Sequence, residues 1–361
     1  MRPRASRVAL ATTLMASLVL PGSGLAAASD ERCTDRRDAA LSTRPRLRLS
    51  GLYALPRKPA RTLVVFAHGY RKPATVYWQR HLRREARRGA IAVAMDYRGI
   101  GGAPDYRGWN VRAGAADSIR AARHFWQGCR SLRRIILVSV SMGSNAAGLA
   151  LAAQPVRHSS PCTDRAGQPR CAAPYFPEPL FDHWVNVEGA ANVTETYLEA
   201  VAVAPGNAYA RAAKEDIERE MGGTIAEVPE RYREATLVAR AEDIAASGVR
   251  SVTFVHGLED GLVPYDQSRE LAAALRRHDV PSDFFTVLTR GEGDDGTTIS
   301  GYALGPAGQN SPFAGHGSEE DITHLVIRTG FERLWAIRRG ATVGPAREFV
   351  VDGILGTHPA P

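Results

Sequence analysis

A serine that lies between an apolar run and a run of small residues is the strongest chemical signal in this sequence. Residues 139–143 read Ser-Val-Ser-Met-Gly, after the apolar run 135–138 and before the small-residue run 145–150. This order predicts a strand, a sharp turn and a helix, and such a turn lifts the central hydroxyl clear of the sheet. We therefore expect Ser141 to act as a nucleophile in covalent catalysis.

The motif departs from the usual Gly-x-Ser-x-Gly pattern at its first position, which is Ser139. Small residues are needed there because the turn is strained and because strand and helix pack closely around it. Serine is small, so the departure is compatible with the turn.

A nucleophilic serine needs a base, and the base needs an acid that orients it. The apolar run 251–255 leads into His-Gly-Leu-Glu-Asp at 256–260, so Asp260 follows a buried strand on a tight turn. We assign Asp260 as the acid. Glu259 is the adjacent alternative and is expected to face solvent. His256 is interpreted as a turn residue.

The base should follow the acid if the chain order is Ser, Asp, His. The histidines after Asp260 are His278, His316, His324 and His358. We assign His316, because its flanking glycines let the ring reach inward. His324 is the alternative candidate for the base, although we expect it to be packed inside a helix that starts at residue 318. His278 ends a charged surface helix, and His358 is expected in a disordered tail.

Two backbone amides are predicted to stabilise a developing oxyanion. Apolar residues 62–67 end in His68-Gly69-Tyr70, where a glycine lets the chain turn and frees the amide of Tyr70. Met142 follows the nucleophile and starts a helix, so its amide has no partner within that helix. The imidazole of His68 is interpreted as structural.

Short apolar runs alternate with helical stretches, which predicts an α/β fold with a mostly parallel central sheet and helices on both faces. A helical insertion is expected at about residues 190–247 and a polar loop insertion at about 290–312. The predicted strands are Leu47–Leu55, Thr62–Ala67, Ala90–Met95, Ile135–Ser139, Trp184–Glu188, Ser251–His256 and Asp283–Leu288. The predicted helices are Val76–Arg88, Gly114–Gln127, Met142–Ala153 and Tyr265–Arg277.

These motifs together resemble the α/β-hydrolase superfamily. The resemblance rests on residues 66–70, Asp-Tyr-Arg-Gly at 96–99, residues 139–143, residues 256–264 and Gly-His-Gly at 315–317. It implies an α/β-hydrolase fold over residues 29–361 and acyl transfer through a Ser-His-Asp triad. It favours a carboxylic ester hydrolase.

Two other functions stay open. One is a peptidase resembling the catalytic domain of the prolyl oligopeptidase family, although few residues precede the first strand to form the usual propeller. The other is a non-catalytic binding protein on the same fold.

The helical insertion is expected to cover the cleft, with Tyr197, Tyr209 and Met221 as candidate lining residues.

The N-terminus is typical of a signal peptide over residues 1–28. Arg2, Arg4 and Arg7 precede an apolar stretch, and Ala26–Ala28 supply small residues for cleavage. We expect a secreted or periplasmic protein after cleavage near Ala28; an uncleaved anchor is the alternative.

Four cysteines in an exported chain predict disulfides rather than a metal site. Cys162 and Cys171 bracket a polar loop, which leaves Cys33 to pair with Cys129.

The charge pattern gives little reason to expect a nucleic-acid partner. The formal net charge is +8, of which Arg2, Arg4 and Arg7 contribute three, and the basic residues are scattered. The expected partner is a small-molecule or polymeric ester, with no cofactor and no stable membrane insertion. Asp294 and Asp295 lack the full ligand spacing of a calcium loop. The sequence leaves the oligomeric state open.

Overall fold

The structure is a computed structural model, and it describes residues 33–34, 50–99, 104–153, 179–288, 315–353 and 355–360. The strands in these ranges are β1 (Gly51–Ala54), β2 (Thr62–Ala67), β3 (Ile91–Met95), β4 (Arg134–Val140), β5 (His183–Val187), β6 (Ser251–Gly257), β7 (Ser282–Leu288), β8 (Ala346–Asp352) and β9 (Gly356–Pro359). The helices are α1 (Arg83–Arg87), α2 (Val111–Gly128), α3 (Met142–Ala152), α4 (Val193–Val203), α5 (Ala208–Met221), α6 (Pro229–Ala235), α7 (Ala241–Ala246), α8 (Tyr265–Arg276) and α9 (Leu325–Arg338).

These strands form one sheet in the order β1-β3-β2-β4-β5-β6-β7-β8-β9. The two outermost pairs, β1 with β3 and β8 with β9, are antiparallel, and every other pair is parallel. The chain passes from β3 across β2 to β4, so the strand order reverses between β2 and β4. In sheets of this kind the ligand crevice lies at such a reversal, beyond the carboxyl ends of the strands.

Hydrophobic cores lie on both faces of the sheet. Along β2, Leu63 and Val65 belong to one core and Val64 and Phe66 to the other, as expected for side chains that alternate across a strand. The first core includes residues of α2, α3 and α8, and the second includes residues of α1 and α9. The predicted α/β fold with helices on both faces is therefore confirmed.

The segment between β5 and β6, where the helical insertion was predicted, contains α4, α5, α6 and α7, together with a 3₁₀ helix at Leu237–Arg240. The predicted loop insertion at about 290–312 lies outside the described residues, as do the predicted signal peptide and the pair Cys162 and Cys171. No helix of the described residues is long and apolar enough to cross a membrane.

The predicted disulfide between Cys33 and Cys129 is present, with the two Cα atoms 5.8 Å apart. It ties the N-terminal part of the chain to the residue that follows α2.

Three local predictions were wrong. The stretch predicted as one helix at 76–88 is divided into a 3₁₀ turn, a π-helical turn and the short α1. The helix predicted to start at residue 318 starts only at Leu325, because Asp321 accepts local bonds from the amide and the hydroxyl of Thr323 that compete with helix formation. His358, expected in a disordered tail, lies in β9.

Candidate active site

Ser141 lies on the turn between β4 and α3, with a backbone that L-amino acids rarely adopt. Its φ is 55° and its ψ is −130°. The Ser141 amide donates to the carbonyl of Val187 (3.0 Å), and the Ser141 carbonyl accepts from the amide of Ala190 (3.2 Å). Such a conformation costs about 1–3 kcal/mol and persists only where the surroundings enforce it. The end of β5 provides those surroundings here.

The two small residues that flank Ser141 each have a physical reason. A Cβ atom at Gly143 would lie 2.2 Å from the carbonyl oxygen of Ala67 and 2.6 Å from that of His68, so only glycine lets α3 pack against the end of β2. Ser139 accepts a hydrogen bond from the Trp184 indole (2.8 Å) and lies 2.9 Å from the Ser144 hydroxyl. The Ser139 hydroxyl therefore joins the end of β4 to Trp184 of β5 and to Ser144 of α3.

His316 and Asp260 meet as the sequence predicts. The His316 Nδ1 donates to Asp260 Oδ2 at 2.7 Å, and Asp260 Oδ1 accepts from the amides of Leu262 and Val263, each at 2.9 Å. The preceding Gly315 has a φ of 74°, and a Cβ atom there would lie 2.5 Å from the Glu259 carbonyl. Glycine at this position therefore allows the histidine loop to approach the acid loop closely.

The charges of the pair stabilise each other. Burial disfavours the protonated ring of His316, but Asp260 and then Glu188 outweigh burial and raise the pKa of His316 to about 9. Burial would raise the pKa of Asp260, but the charge of His316 and hydrogen bonds from His256 and His316 hold it well below its usual value. With Nδ1 donating to Asp260, the Nε2 atom of a neutral His316 ring is the one with a free lone pair.

A second buried carboxylate, Glu188, lies beside the same imidazole. It follows the last residue of β5, and its Oε2 accepts from the amide of Gly317 (2.7 Å) and lies 3.7 Å from His316 Nδ1. Its Oε1 is buried without a hydrogen-bond partner among the described residues. Burial raises the pKa of Glu188 to about 8.

The loop after β2 and the loop of His316 are joined at several points. The Gly69 amide donates to Glu319 Oε1 (2.5 Å), and Lys72 Nζ donates to the Ser318 hydroxyl and to Glu320, each at 2.8 Å. His81 Nε2 donates to the Glu319 carbonyl (2.7 Å). These contacts hold the backbone that carries the Tyr70 amide close to the backbone that carries His316.

The two predicted oxyanion donors lie at the same edge of the sheet. Met142 is the first residue of α3, where backbone amides have no partner within the helix and the helix dipole favours a negative charge. Tyr70 follows β2, the strand next to β4, and lines the same cavities as Ser141.

Two other histidines of the motifs are engaged in structural contacts. The ring of His68 is fully buried and stacks on Tyr97, with the ring centroids 3.9 Å apart, and burial lowers the pKa of His68 to about 4. His256 Nε2 donates to the Val263 carbonyl (2.9 Å) and also lies 3.3 Å from Asp260 Oδ2, so its Nδ1 accepts from the Ser268 hydroxyl (2.7 Å). The alternative base, His324, was expected to be packed inside a helix, but it is the half-buried residue that precedes α9, and its side chain makes no capping hydrogen bond.

Two cavities open at Ser141. One of about 240 Å³ is also lined by His316, Gly69 and Glu319. The other, of about 290 Å³, extends between α4, α5 and the Asp260 loop. Tyr209 lines both cavities, as predicted. Tyr197 and Met221, the other predicted lining residues, are buried in the core instead.

The described residues contain one group that could hold a metal ion, namely Glu188, Asp260 and His316, whose ligand atoms lie within 4.8 Å of one another. The His316 atom nearest to both carboxylates is Nδ1, which already donates its proton to Asp260. A metal ion would have to replace that proton, so the arrangement fits a hydrogen-bonded acid and base better than a metal site.

The sequence matches a model of the alpha/beta hydrolase family over residues 64–346, so the chain belongs to that family. A search of curated proteins finds no match.

Solved structures that resemble this chain include three peptidases. Pyrococcus horikoshii acylaminoacyl peptidase is 19% identical with a TM-score of 0.49, over 80% of this chain and 39% of that protein. A Mycobacterium tuberculosis puromycin-hydrolyzing peptidase is 18% identical with a TM-score of 0.49, over 81% and 38%. Porphyromonas gingivalis dipeptidyl peptidase 4 is 18% identical with a TM-score of 0.43, over 66% and 29%. The chain thus spans about two fifths or less of the length of these proteins.

Sequence reasoning missed the acidic residues that surround the predicted triad. Glu188 is a charged residue directly after a buried strand, and this position could have indicated a residue of the site, because ligands bind at the carboxyl ends of such strands. Glu319 falls in the helix that was predicted to start at residue 318, but its side chain is buried against the loop after β2. No pattern in the sequence marks that long-range contact, which joins residues 250 positions apart.

Proposed function

We propose that this chain is an exported serine hydrolase that cleaves carboxylic esters through an acyl-enzyme intermediate. The observation that carries the proposal is Ser141 on a strained strand-to-helix turn, at a cavity that it shares with His316, whose Nδ1 donates to the buried Asp260. This combination of a nucleophile, a base and an orienting acid defines the class of reaction.

In the proposed mechanism Ser141 Oγ attacks the ester carbonyl carbon while His316 Nε2 takes its proton. Asp260 fixes the tautomer of the ring and stabilises the imidazolium as it forms. The amides of Tyr70 and Met142 stabilise the oxyanion; removal of one such donor typically costs about 100- to 1000-fold in rate. The imidazolium then protonates the leaving alcohol, and water releases the acid by the same steps in reverse.

The walls of the larger cavity favour an ester over a peptide. They consist mainly of apolar surface, including Trp109, Val203, Leu262 and Pro264. A bound peptide would place further amide and carbonyl groups against these walls, where polar groups without partners are costly. An ester has a single carbonyl group, which lies at Ser141, and places no further amide or carbonyl groups against these walls.

Matched assays separate the proposed ester hydrolase from the two alternatives. We expect turnover of p-nitrophenyl butyrate that is lost in Ser141→Ala, and slow or no turnover of peptidyl p-nitroanilides. Faster cleavage of the anilides would identify a peptidase. A folded protein that hydrolyses neither substrate, and in which Ser141 resists a fluorophosphonate, would be a binding protein.

Export is a separate part of the proposal, supported by the basic and apolar segments of residues 1–28. N-terminal sequencing of protein recovered outside the cytoplasm should begin near Ser29. Recovery of intact Met1 in a membrane fraction would instead indicate an uncleaved anchor.

A further inference from the structure

The larger cavity at Ser141 contains one carboxylate on an otherwise uncharged wall. Helix α4 presents Thr196, Glu199, Ala200 and Val203 to this cavity, at spacings that place them on one face of a helix. Among the described residues that line the cavity, Glu199 is the one with an ionisable carboxyl group, and none carries a positive charge.

The carboxylate of Glu199 makes no hydrogen bond or ion pair with another described residue. A buried or half-buried carboxylate without a partner is unfavourable, so such groups are normally paired. The charged groups that face Glu199 are Glu195 on its own helix and Asp260 from the loop after β6, and both are acidic. Asp260 is already paired with His316, so the acidic groups without a cation beside them on this side of the cavity are Glu199 and Glu195, and no described residue that lines the cavity is positively charged.

Three aromatic residues form another part of the cavity wall. Tyr70 contacts Trp109 and Tyr209, with ring centroids 5.7 Å and 5.4 Å apart, and all three rings line the cavity. The hydroxyl of Tyr70 donates to Asp216, which fixes the ring in place. Aromatic faces attract cations, most strongly where water is excluded. The Arg71 guanidinium already lies 5.3 Å from the centroid of the Tyr70 ring, so the rings that remain for a bound cation are those of Trp109 and Tyr209.

We infer that Glu199 and this aromatic wall form a subsite for a cationic group, so that the substrates of this enzyme are esters that carry an ammonium group. The inference rests on the proposed function, since it names the substrate class of the same site. A bound ammonium group would supply the counter-charge that Glu199 lacks and would contact the rings of Trp109 and Tyr209.

The acid–base properties of Glu199 are consistent with this subsite. Burial, and then the charges of Glu195 and Asp260, raise the pKa of Glu199 to about 7. A cation stabilises the ionised carboxyl group, so binding of a cation should strengthen as the pH rises through about 7 and weaken below it.

Pairs of substrates that differ only in charge test the subsite. For the acyl side, the p-nitrophenyl esters of 4-(trimethylammonio)butanoic acid and 5,5-dimethylhexanoic acid have the same shape. For the alcohol side, choline butyrate is compared with 3,3-dimethylbutyl butyrate. We expect kcat/KM to favour the cationic member of one pair by about tenfold or more. Glu199→Gln should abolish that ratio, and Glu195→Gln, one turn earlier on α4 and outside the cavity lining, should reduce it much less.

A binding measurement makes the test independent of catalysis. Benzyltrimethylammonium chloride is titrated calorimetrically into Ser141→Ala and into Ser141→Ala with Glu199→Gln. Binding should be about tenfold weaker in the double variant, and in the single variant it should weaken below pH 7.

The proposal is overturned if neither pair shows a preference that depends on Glu199 and the probe binds both proteins equally. In that case Ser141-dependent turnover of p-nitrophenyl butyrate would still support the ester hydrolase. If the protein hydrolyses no ester but the probe binds in a Glu199-dependent manner, the cation subsite stands and the proposed catalytic function fails.

Discussion

The pH dependence of catalysis should respond to Glu188, a residue outside the predicted triad. Its Oε2 lies 3.7 Å from His316 Nδ1, and its negative charge raises the pKa of the ring. We expect Glu188→Gln to shift the acidic limb of the pH profile of kcat/KM to lower pH. A carboxylate stabilises the protonated base, so its removal lets the ring lose its proton, and become active, at a lower pH.

The size of the shift follows from the distance. At an effective dielectric constant of about 20, two unit charges at this separation interact by about 4 kcal/mol, which equals about three pKa units. The observable shift is smaller because Glu188 is itself neutral below its pKa of about 8, so the two groups titrate together. We expect a shift of about one to two pH units.

The assay is hydrolysis of p-nitrophenyl butyrate from pH 5 to 10 by the wild type, Glu188→Gln and Glu188→Ala. The glutamine keeps an acceptor for the Gly317 amide, whereas the alanine also removes that contact and should lower kcat at every pH. Glu242→Gln removes an exposed negative charge on α7 and is the control for the general loss of one charge. An unshifted limb in Glu188→Gln, or an equal shift in Glu242→Gln, would refute the reasoning.

Three further changes test the geometry of the fold around the site. Ser141→Gly should be more stable than Ser141→Ala by about 1 kcal/mol in denaturant unfolding, because glycine adopts a φ of 55° without strain; equal stability would mean that the turn is unstrained. Gly143→Ala should lower stability by about 2 kcal/mol or more and reduce turnover, since its Cβ would collide with the Ala67 carbonyl; a wild-type melting temperature would contradict this contact. Cys33→Ser should lower the free energy of unfolding by about 4 kcal/mol, because it removes a disulfide between residues 96 positions apart. A variant as stable as the oxidised wild type would show that the disulfide does not contribute to stability.

The sequence was most informative where residues are continuously buried. The predicted strand Thr62–Ala67 matches β2 at both ends, and the other predicted strands except the first agree with β3–β7 to within one or two residues. Continuous apolar runs predict such strands because both faces of a parallel sheet are covered. The loops that follow these strands then gather at one edge, which brings His316 to Asp260.

Contacts between distant loops were not predictable in the same way. The helix expected from residue 318 fails because Glu319 is buried against Gly69 and Asp321 bonds locally to Thr323. Strands β8 and β9 were missed because β9 is exposed throughout and β8 is buried only at its last two residues, so pairing rather than a continuous apolar run defines them. The isolation of Glu199 in its cavity likewise follows only from the packing of α4 against its neighbours.

The most direct test of the central claim is the rate at which a fluorophosphonate modifies Ser141, followed by mass spectrometry of peptides from wild type and His316→Asn. If His316 and Asp260 activate Ser141, the wild type should carry a single adduct at Ser141, and His316→Asn should react about a thousandfold more slowly or not at all. An adduct on another residue, or an unchanged rate in His316→Asn, would contradict the account.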